Sequence, residues 1–360
     1  MKKIALVGDI GFFGKYSKEY NGQVENQFGE MAQYLSTFDY VIGNLEVPFV
    51  EGIKPLGSKS AHVSSSPANV ELLRFLNFTH VGLANNHLYD FGQAGIDMTV
   101  ALLQKSDIGY FGINDKSILI EDAKVALHGY CCFSTNPYGL SQGVNKLNVP
   151  NVQQNMQQFA QQGYLNIVSV HAGLEHVNLP AYHEIQLARQ LSDTAPFVYY
   201  GHHPHVLQGI EEHNKSVLAY SLGNFCFDDV YTSKSPKPLI TQSENNNTSA
   251  ILILHIDQGK VVKYETKGFY AADDKLTLDD SEVHTKLDAY NALLQKPKEE
   301  YTEYRRSLLT DYVRTRKQMR DFNWYIKRLN LDSVVMIMRA KYNSQQHYKN
   351  VLAHLHEAND

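Results

Sequence analysis

Five apolar segments of this sequence end in side chains that commonly bind metals. Their endings are Asp9 in VGD, GNLE at 43–46, ANNH at 84–87, His171 in VSVHAGLE and GHHPH at 201–205. Short apolar runs rich in valine and isoleucine predict buried strands. Open α/β sheets place their ligand sites at the carboxyl ends of strands. We therefore expect the five endings to converge on one site.

The spacing of the strands predicts the architecture around that site. Helical patterns at 26–37, 66–77 and 94–106 alternate with the early strands, and this alternation is typical of an α/β domain with a largely parallel central portion. Later segments resemble antiparallel hairpins, with a turn at DQGK. We predict an α/β (α+β) fold, a β-sandwich flanked by helices. The remaining predicted strands cover 117–122, 123–130, 164–173, 197–205, 216–225 and 249–266.

The pattern changes towards the C-terminus, where helical periodicity takes over. We assign residues 1–274 to the main domain and 275–360 to a C-terminal helical extension. The extension interleaves cations with aromatic residues such as Trp324 and Tyr325. Two interpretations stay open: a solvated helical surface whose aromatic residues pack on the main domain, or peripheral contact with an anionic polymer or membrane surface.

Composition excludes several classes of protein. The chain has 360 residues and a formal net charge of −5, so its overall field does not favour nucleic acid. Its three cysteines form no disulfide framework and no CxxC pair, which suits a reducing compartment, and we expect a cytoplasmic protein. No run approaches the roughly 20 apolar residues that span a bilayer, so no integral membrane segment is expected.

The residue types at the strand ends indicate which metals they would bind. A single histidine after a strand is more often a capping or packing residue than a ligand, but five ligand-bearing endings together make a metal site the stronger hypothesis. Mixed carboxylate, amide and imidazole groups suit Mn²⁺, Fe or Zn²⁺ better than Ca²⁺. In GHHPH, His203 and His205 are two residues apart, so an extended backbone would turn both rings to the same side. Gly201 is expected to allow a tight turn before them.

The order GD, GNLE, NNHxxDxG, HxGxE, GHHPHVxQG and SLGNF resembles the bacterial capsule-biosynthesis CapA/PgsA family. That family is similar to a branch of the calcineurin-like metallophosphoesterase superfamily. The resemblance covers roughly residues 1–270 and leaves out the helical extension. It implies a calcineurin-like metallophosphoesterase β-sandwich.

The resemblance also implies roles for individual residues. The implied metal ligands are Asp9, Asn44, Glu46, Asn86, His171, His203 and His205. The implied catalytic residues are His87, Asp90 and Glu175. Asp90 would either orient His87 or serve as a turn residue before Gly92. The implied substrate-binding residues are Asn85, Ser221, Asn224 and His202. A supporting or surface position of His202 stays equally open, and His176 is expected only to cap its segment.

Two departures from the superfamily pattern concern the metals. The usual Asp-x-His motif is here Asp9-Ile10-Gly11, and Glu46 stands where an aspartate is usual. One metal would therefore lack its usual histidine. We expect one or two divalent ions, with Mn²⁺ favoured and Fe or Zn²⁺ as alternatives.

The function implied is a metal-dependent, phosphoesterase-like hydrolase of surface polysaccharide or polyglutamate capsule biosynthesis. Its substrate would be a phosphorylated or polymeric anionic molecule. Two other hypotheses stay open: an accessory protein of polymer synthesis or export that binds metal without turnover, and a metal-dependent amide-bond enzyme. The sequence makes no prediction about the oligomeric state.

Overall fold

Two β-sheets lie face to face, and helices cover their outer surfaces. The computed structural model describes residues 1–20, 22–56, 61–132, 143–232, 235–272, 275–318 and 331–355. The two sheets pack against each other through side chains from both, including Leu6 and Ile42 from the first and Ile167 and Val198 from the second. The predicted helix-flanked sandwich is confirmed.

The first sheet has eight strands. They are β1 (Lys2–Ile10), β2 (Tyr40–Leu45), β3 (His80–Gly82), β4 (Gly109–Phe111), β11 (Asn224–Cys226), β14 (Thr248–Asp257), β15 (Lys260–Ala272) and β16 (Lys275–Leu278). Their order is β16-β15-β14-β1-β2-β3-β4, and β11 also pairs with β1. Strands β1, β2, β3 and β11 run parallel, so their carboxyl ends share one edge of the sheet.

The second sheet has six strands, and two further strands form a separate ribbon. The sheet contains β5 (Ile118–Ile120), β6 (Val125–Cys131), β7 (Leu165–His171), β8 (Phe197–His202), β9 (Ile210–His213) and β10 (Ser216–Ala219), and the ribbon contains β12 (Val230–Thr232) and β13 (Ser235–Ile240). The sheet order is β5-β6-β7-β8-β10-β9. Strands β6, β7, β8 and β10 are parallel, and register pairs His171 with His202. Two predicted ligand segments thus end side by side.

Helices form the outer layers. They are α1 (Val24–Gln27), α2 (Gly29–Leu35), α3 (Val70–Phe75), α4 (Gly92–Lys105), α5 (Val149–Gln161), α6 (Tyr182–Leu191), α7 (Glu244–Asn247), α8 (Ser281–Leu294), α9 (Lys298–Gln318) and α10 (Leu331–His354), with 3₁₀ turns at Gly14–Tyr16 and Pro67–Asn69. Strand β1 alternates between layers: Leu6 faces the other sheet, whereas Ala5 and Val7 pack with α1–α4. This alternation is the period-2 pattern of a strand covered on both faces.

The structure differs from the predicted elements at several places. The predicted single strand at 216–225 is two strands, because the chain turns at Gly223 (φ +79°) and passes from β10 in one sheet to β11 in the other. Helices α5 and α6 and strand β9 were not predicted. The DQGK hairpin turn is confirmed between β14 and β15.

The C-terminal helices pack on the sandwich. Val283 and Leu287 of α8 join the core between the sheets, and Tyr301 of α9 and Val351 of α10 join the core outside the second sheet. The helical part begins at Ser281, since residues 275–278 form β16; the domain division at 274 stays a prediction. Trp324 and Tyr325 lie outside the described residues. Within the described part of the chain, no helix has the length and apolarity needed to cross a bilayer.

Candidate metal centre

Asp9 lies where three strands of the first sheet meet. Register pairs it with Asn44 of β2 and with Asn224 of β11. The close approach of β11 requires a glycine at position 8, because a Cβ there would lie 1.9 Å from the carbonyl oxygen of Gly223. The topology thus presents one carboxylate between two strand ends.

Neighbouring groups keep the Asp9 carboxylate charged although it is fully buried. Its Oδ1 accepts a hydrogen bond from Asn44 Nδ2 at 2.8 Å and lies 3.1 Å from His202 Nδ1, and its Oδ2 accepts from the backbone N–H of His203 at 3.1 Å. Burial alone would raise the pKa of Asp9, but the close contact with His202, followed by the charges of His202 and His205, brings it below its ordinary value. The side chain is therefore an ionised acceptor at neutral pH.

Glu46, immediately after β2, links two groups of candidate metal ligands. Its Oε1 lies 3.7 Å from His171 Nε2 and 3.6 Å from His205 Nε2. Ligand atoms of Asp9, Glu46 and His171 lie within 4.8 Å of one another, and so do those of Glu46, His203 and His205. The five segments predicted to converge supply both groups and their immediate neighbours.

Amide side chains orient two of the imidazoles. Asn224 Oδ1 lies 2.8 Å from His205 Nδ1, which leaves His205 Nε2 on the side of Glu46. Asn44 Nδ2 lies 3.3 Å from His171 Nδ1, and Asn86 Oδ1 lies 2.9 Å from His171 Nε2. Such partners fix the tautomer and direction of histidine ligands.

The chemistry of these residues fits a divalent cation. Burial lowers the pKa of His203 to about 4, against an opposing effect of Glu175, and burial followed by the charge of His203 lowers that of His171 well below its ordinary value. Both rings are therefore neutral at pH 7 and offer lone pairs. His203 Nδ1 is buried and has no hydrogen-bond partner among the described residues. Two buried carboxylates beside neutral imidazoles leave negative charge that a metal ion would offset.

The backbone at GHHPH differs from the expected extended form. His203 (φ +94°) and His205 (φ +56°) both adopt left-handed conformations, so the prediction from extended geometry is wrong although both rings reach Glu46. Gly201 lies within β8 and makes no tight turn; a Cβ there would lie 1.9 Å from the carbonyl oxygen of Tyr220. Positive φ values at residues other than glycine are costly and cluster at functional sites.

His87 lies at the open side of the centre. Its Nδ1 is 2.7 Å from Asp90 Oδ2, its side chain is 15% exposed, and that of Asp90 is 1% exposed. This contact is the one that the predicted orienting role of Asp90 requires. Burial lowers the pKa of His203, the charge of the half-buried Glu175 opposes this effect, and the charge of His87 adds to it.

Asn85 and Ser221, two other predicted site residues, are fully buried. Asn85 donates to the Leu45 carbonyl at 2.8 Å and accepts from the Leu88 N–H at 2.9 Å. The Ser221 hydroxyl accepts from the Gly223 N–H at 3.3 Å. These buried contacts hold loops together, and the predicted substrate-binding roles of the two residues stay predictions.

His202, Asn224 and Asn44 contact the candidate ligands. The fully buried ring of His202 lies between Asp9 and Tyr200, with 4.1 Å between the centroids of the two rings. Asn224 contacts the ring of His205, and Asn44 donates its amide to Asp9. We interpret all three as supports of the ligands; the predicted roles of the first two in substrate binding and of Asn44 as a ligand stay predictions.

Asn246 was missed by the sequence analysis, which indicated only a polar loop at 241–249. Its Nδ2 donates to the His205 carbonyl at 2.8 Å and lies 2.9 Å from His176 Nδ1. No local pattern marks it, because its partners lie 41 and 70 residues away in the chain.

Comparisons with known proteins agree with the predicted family. The family model "Bacterial capsule synthesis protein PGA_cap" matches residues 3–229. The capsule biosynthesis protein CapA of Bacillus anthracis is 28% identical over 69% of this chain and 65% of its own length. The PGA biosynthesis protein CapA of Bacillus subtilis is 30% identical over 70% of each chain. The match thus spans slightly less than two thirds of the first relative.

Solved structures with a similar course of the chain include two from Thermus thermophilus. A 5'-nucleotidase precursor aligns with a TM-score of 0.44 at 13% identity, over 82% of this chain and 60% of its own. The sulfate thiohydrolase SoxB aligns with a TM-score of 0.39 at 12% identity, over 75% and 45%. With TM-scores this low, neither likeness assigns a function.

The match of the family model covers more than half of the chain and contains each of the ligand groups described above. The predicted relationship is confirmed: this chain belongs to the PGA_cap family of bacterial capsule synthesis proteins.

Proposed function

We propose that this protein is a metal-dependent hydrolase of the phosphoesterase type that acts in the synthesis of a bacterial surface polymer. The observation that carries the proposal is the sharing of Glu46 by two buried ligand groups, one with Asp9 and His171 and the other with His203 and His205. A carboxylate has two oxygens and a negative charge, so it suits a position between two cations. The printed names of the relatives support a role in capsule or PGA biosynthesis.

The two ligand groups would hold one or two divalent ions, and mixed carboxylate and imidazole donors favour Mn²⁺, with Fe or Zn²⁺ as alternatives. When bound, such ions supply Lewis-acid chemistry, namely activation of water at neutral pH and neutralisation of charge on a phosphate oxygen. His203 and His205 enter the site on a backbone held by the bond from the His203 N–H to Asp9.

His87 is the proposed general acid. Its Nδ1 lies 2.7 Å from the Asp90 carboxylate, which fixes the direction of the ring. A protonated His87 donates through Nε2 to the oxygen that leaves. We propose a phosphorylated or polymeric anionic substrate, because a centre with bound cations attracts anions. We propose that Glu175, whose charge raises the pKa of His203, contacts this substrate or relays a proton.

The proposal is tested by metal analysis and a substrate screen on the purified protein. We expect bound transition metal and Mn²⁺-stimulated hydrolysis of an aryl phosphate or a phosphodiester. His203→Ala should lose both metal and hydrolysis. His128→Gln is the matched control, since His128 is also buried but contacts Ser117 and Asn166. Hydrolysis that persists unchanged in His203→Ala would exclude this site as its source.

A second candidate function is a metal-binding accessory protein without turnover. The absence of histidine from Asp9-Ile10-Gly11 favours it, because one ligand group then has a weaker donor set. Stoichiometric metal with no hydrolysis of any phosphate substrate would support it. Hydrolysis of γ-glutamyl peptides in place of phosphates would instead identify an amide-bond enzyme.

A further inference from the structure

We propose that Asn246 is a positioning residue of the metal centre, which fixes the loop carrying His205 against the loop carrying His176. The inference rests on the proposed function in one respect, since it requires that the centre binds a metal. It concerns a residue of α7, outside the five segments that supply the ligands.

The hydrogen bonds of Asn246 determine the orientation of its amide. Its Oδ1 accepts from the Ser243 N–H at 3.1 Å and from the Ser243 hydroxyl at 2.6 Å. Its Nδ2 therefore carries the two hydrogens, and it lies 2.8 Å from the carbonyl oxygen of His205 and 2.9 Å from His176 Nδ1. The side chain is 2% exposed, and both its donors and its acceptor are engaged. A buried amide with all these hydrogen bonds formed holds its partners in fixed positions.

Asn246 supports both the backbone and the ring of His205. The Asn246 side chain binds the His205 carbonyl, and the Asn246 carbonyl accepts from Asn224 Nδ2 at 3.3 Å. Asn224 in turn holds His205 Nδ1 at 2.8 Å. His205 is thus held at its backbone and at its ring, and this support offsets the cost of its left-handed conformation (φ +56°).

The same amide joins His176 to this loop. The His176 N–H donates to the Pro204 carbonyl at 2.7 Å, and His176 Nδ1 accepts from Asn246. The centroid of its ring lies 6.3 Å from that of His205. Because Nδ1 accepts, the neutral His176 ring carries its proton on Nε2. Asn246 therefore controls the separation of two loops that flank one side of the centre.

Substitution of Asn246 should leave His205 in the chain but less firmly oriented as a ligand. Partners that orient ligands typically contribute 10–100-fold to metal affinity, so Asn246→Ala should weaken Co²⁺ and Mn²⁺ binding by about that factor. Asn246→Asp keeps the shape and the acceptor for Ser243 but cannot donate to the His205 carbonyl. We expect it to weaken binding to a similar degree, and the visible absorption spectrum of bound Co²⁺ should change in both variants.

Asn166 is the matched control. It is fully buried, its Nδ2 donates to the Met156 carbonyl at 3.0 Å, and its Oδ1 lies 2.9 Å from His128 Nε2. It is thus a second asparagine that bridges a backbone carbonyl and a histidine ring. Asn166→Ala and Asn166→Asp should lower stability while the Co²⁺ affinity and spectrum stay those of the wild type. A merely structural role of Asn246 would give the same result at both positions.

The outcomes separate the two proposals. If wild-type protein binds neither Co²⁺ nor Mn²⁺, the proposed function fails and this inference fails with it. If the wild type binds and both Asn246 variants change affinity by less than about 10-fold with an unchanged spectrum, the inference is overturned and the proposed function stands. Ser243→Ala removes one support of the Asn246 amide and should give a smaller loss in the same direction; should the Asn246 variants fail to fold, an unchanged Co²⁺ site in Ser243→Ala overturns the inference.

Discussion

Two buried glutamates of this protein have different polar neighbours. Glu211 of β9 accepts from Arg189 Nε at 2.9 Å and Nη2 at 2.7 Å, from the Tyr220 hydroxyl at 2.7 Å and from Gln295 Nε2 at 3.0 Å. The ion-pair neighbours found for Glu46 are the rings of His171 and His205, at 3.7 and 3.6 Å. One carboxylate is thus met by a permanent cation and the other by imidazoles.

The difference separates a structural acid from a candidate metal ligand. Arg189 carries its charge at every pH of interest and also donates to the Leu294 carbonyl at 3.0 Å, so its pair with Glu211 ties the end of α8 to the second sheet. The lowered pKa of His171 leaves that ring uncharged beside Glu46. Because ligand atoms of two groups surround Glu46, its carboxylate suits an external cation, and three experiments test this contrast.

The largest effect is expected from Glu46→Gln. It removes the negative charge common to both ligand groups, so Mn²⁺ affinity should fall by more than about 100-fold, beyond the usual range for residues that only support ligands. Glu211→Gln is the control and should leave the affinity unchanged. Isothermal titration calorimetry measures the Mn²⁺ affinity of both variants. If Glu46→Gln binds Mn²⁺ as tightly as the wild type, Glu46 does not differ from Glu211 in metal binding.

Metal removal comes next. A metal that binds only the folded state at 100 times its dissociation constant should add about 2.7 kcal/mol to the free energy of unfolding. Urea denaturation with Mn²⁺ and with a chelator measures this difference. Glu211→Gln should show the same increment as wild type, whereas Glu46→Gln should show almost none. Equal increments in the two variants would mean that Glu46 does not contribute to binding.

Arg189→Met should destabilise the protein by about 2 kcal/mol and leave metal affinity unchanged. The variant leaves the buried Glu211 carboxylate without the Arg189 cation. We expect a smaller loss than the roughly 3–5 kcal/mol of a fully buried pair, because 28% of the Arg189 side chain is exposed. The double variant Arg189→Met, Glu211→Leu should recover most of the loss. A metal affinity that falls in Arg189→Met would show that the two acids are coupled.

The smallest effect, taken per pH unit, concerns a histidine outside both ligand groups. Burial lowers the pKa of His128 to about 4, against an opposing effect of Asn166. The unfolded chain therefore binds a proton that the folded chain does not, and stability should fall by about 1.4 kcal/mol per pH unit as pH drops from about 6.5 to 4. His128→Gln should remove this one-proton share of the slope in urea denaturation; an unchanged slope would contradict the lowered pKa.

Much of the fold follows from local pattern. The runs that became β1, β2, β7 and β8 are apolar and end in polar groups, so both the strands and the edge that collects the ligands could be predicted. Helices α5 and α6 were missed, and so was the division of 216–225 between two sheets. That division depends on the backbone at Gly223, where the chain leaves one sheet for the other, and hydrophobic periodicity does not show it.

For the site, the residue types could be predicted better than their roles. His202, Asn44 and Asn224 have the chemistry of site residues, yet their contacts are with Asp9, His171 and His205. A sequence motif does not distinguish a ligand from the residue that orients it, because both must be polar and lie at the same strand end. Asn246 and the pair of Arg189 with Glu211 have no motif at all.

The sequence by itself determined that carboxylates and imidazoles stand at the ends of buried strands, since hydrophobic run and polar ending are both local features. Only the tertiary structure decided which of them meet. The bond from the His203 N–H to Asp9 joins residues 194 positions apart, and the left-handed backbone of His203 and His205 is stable only with such partners. Distances between strand ends depend on sheet order and close approach, as at Gly8 and Gly201, where the backbone of another strand occupies the space of a side chain.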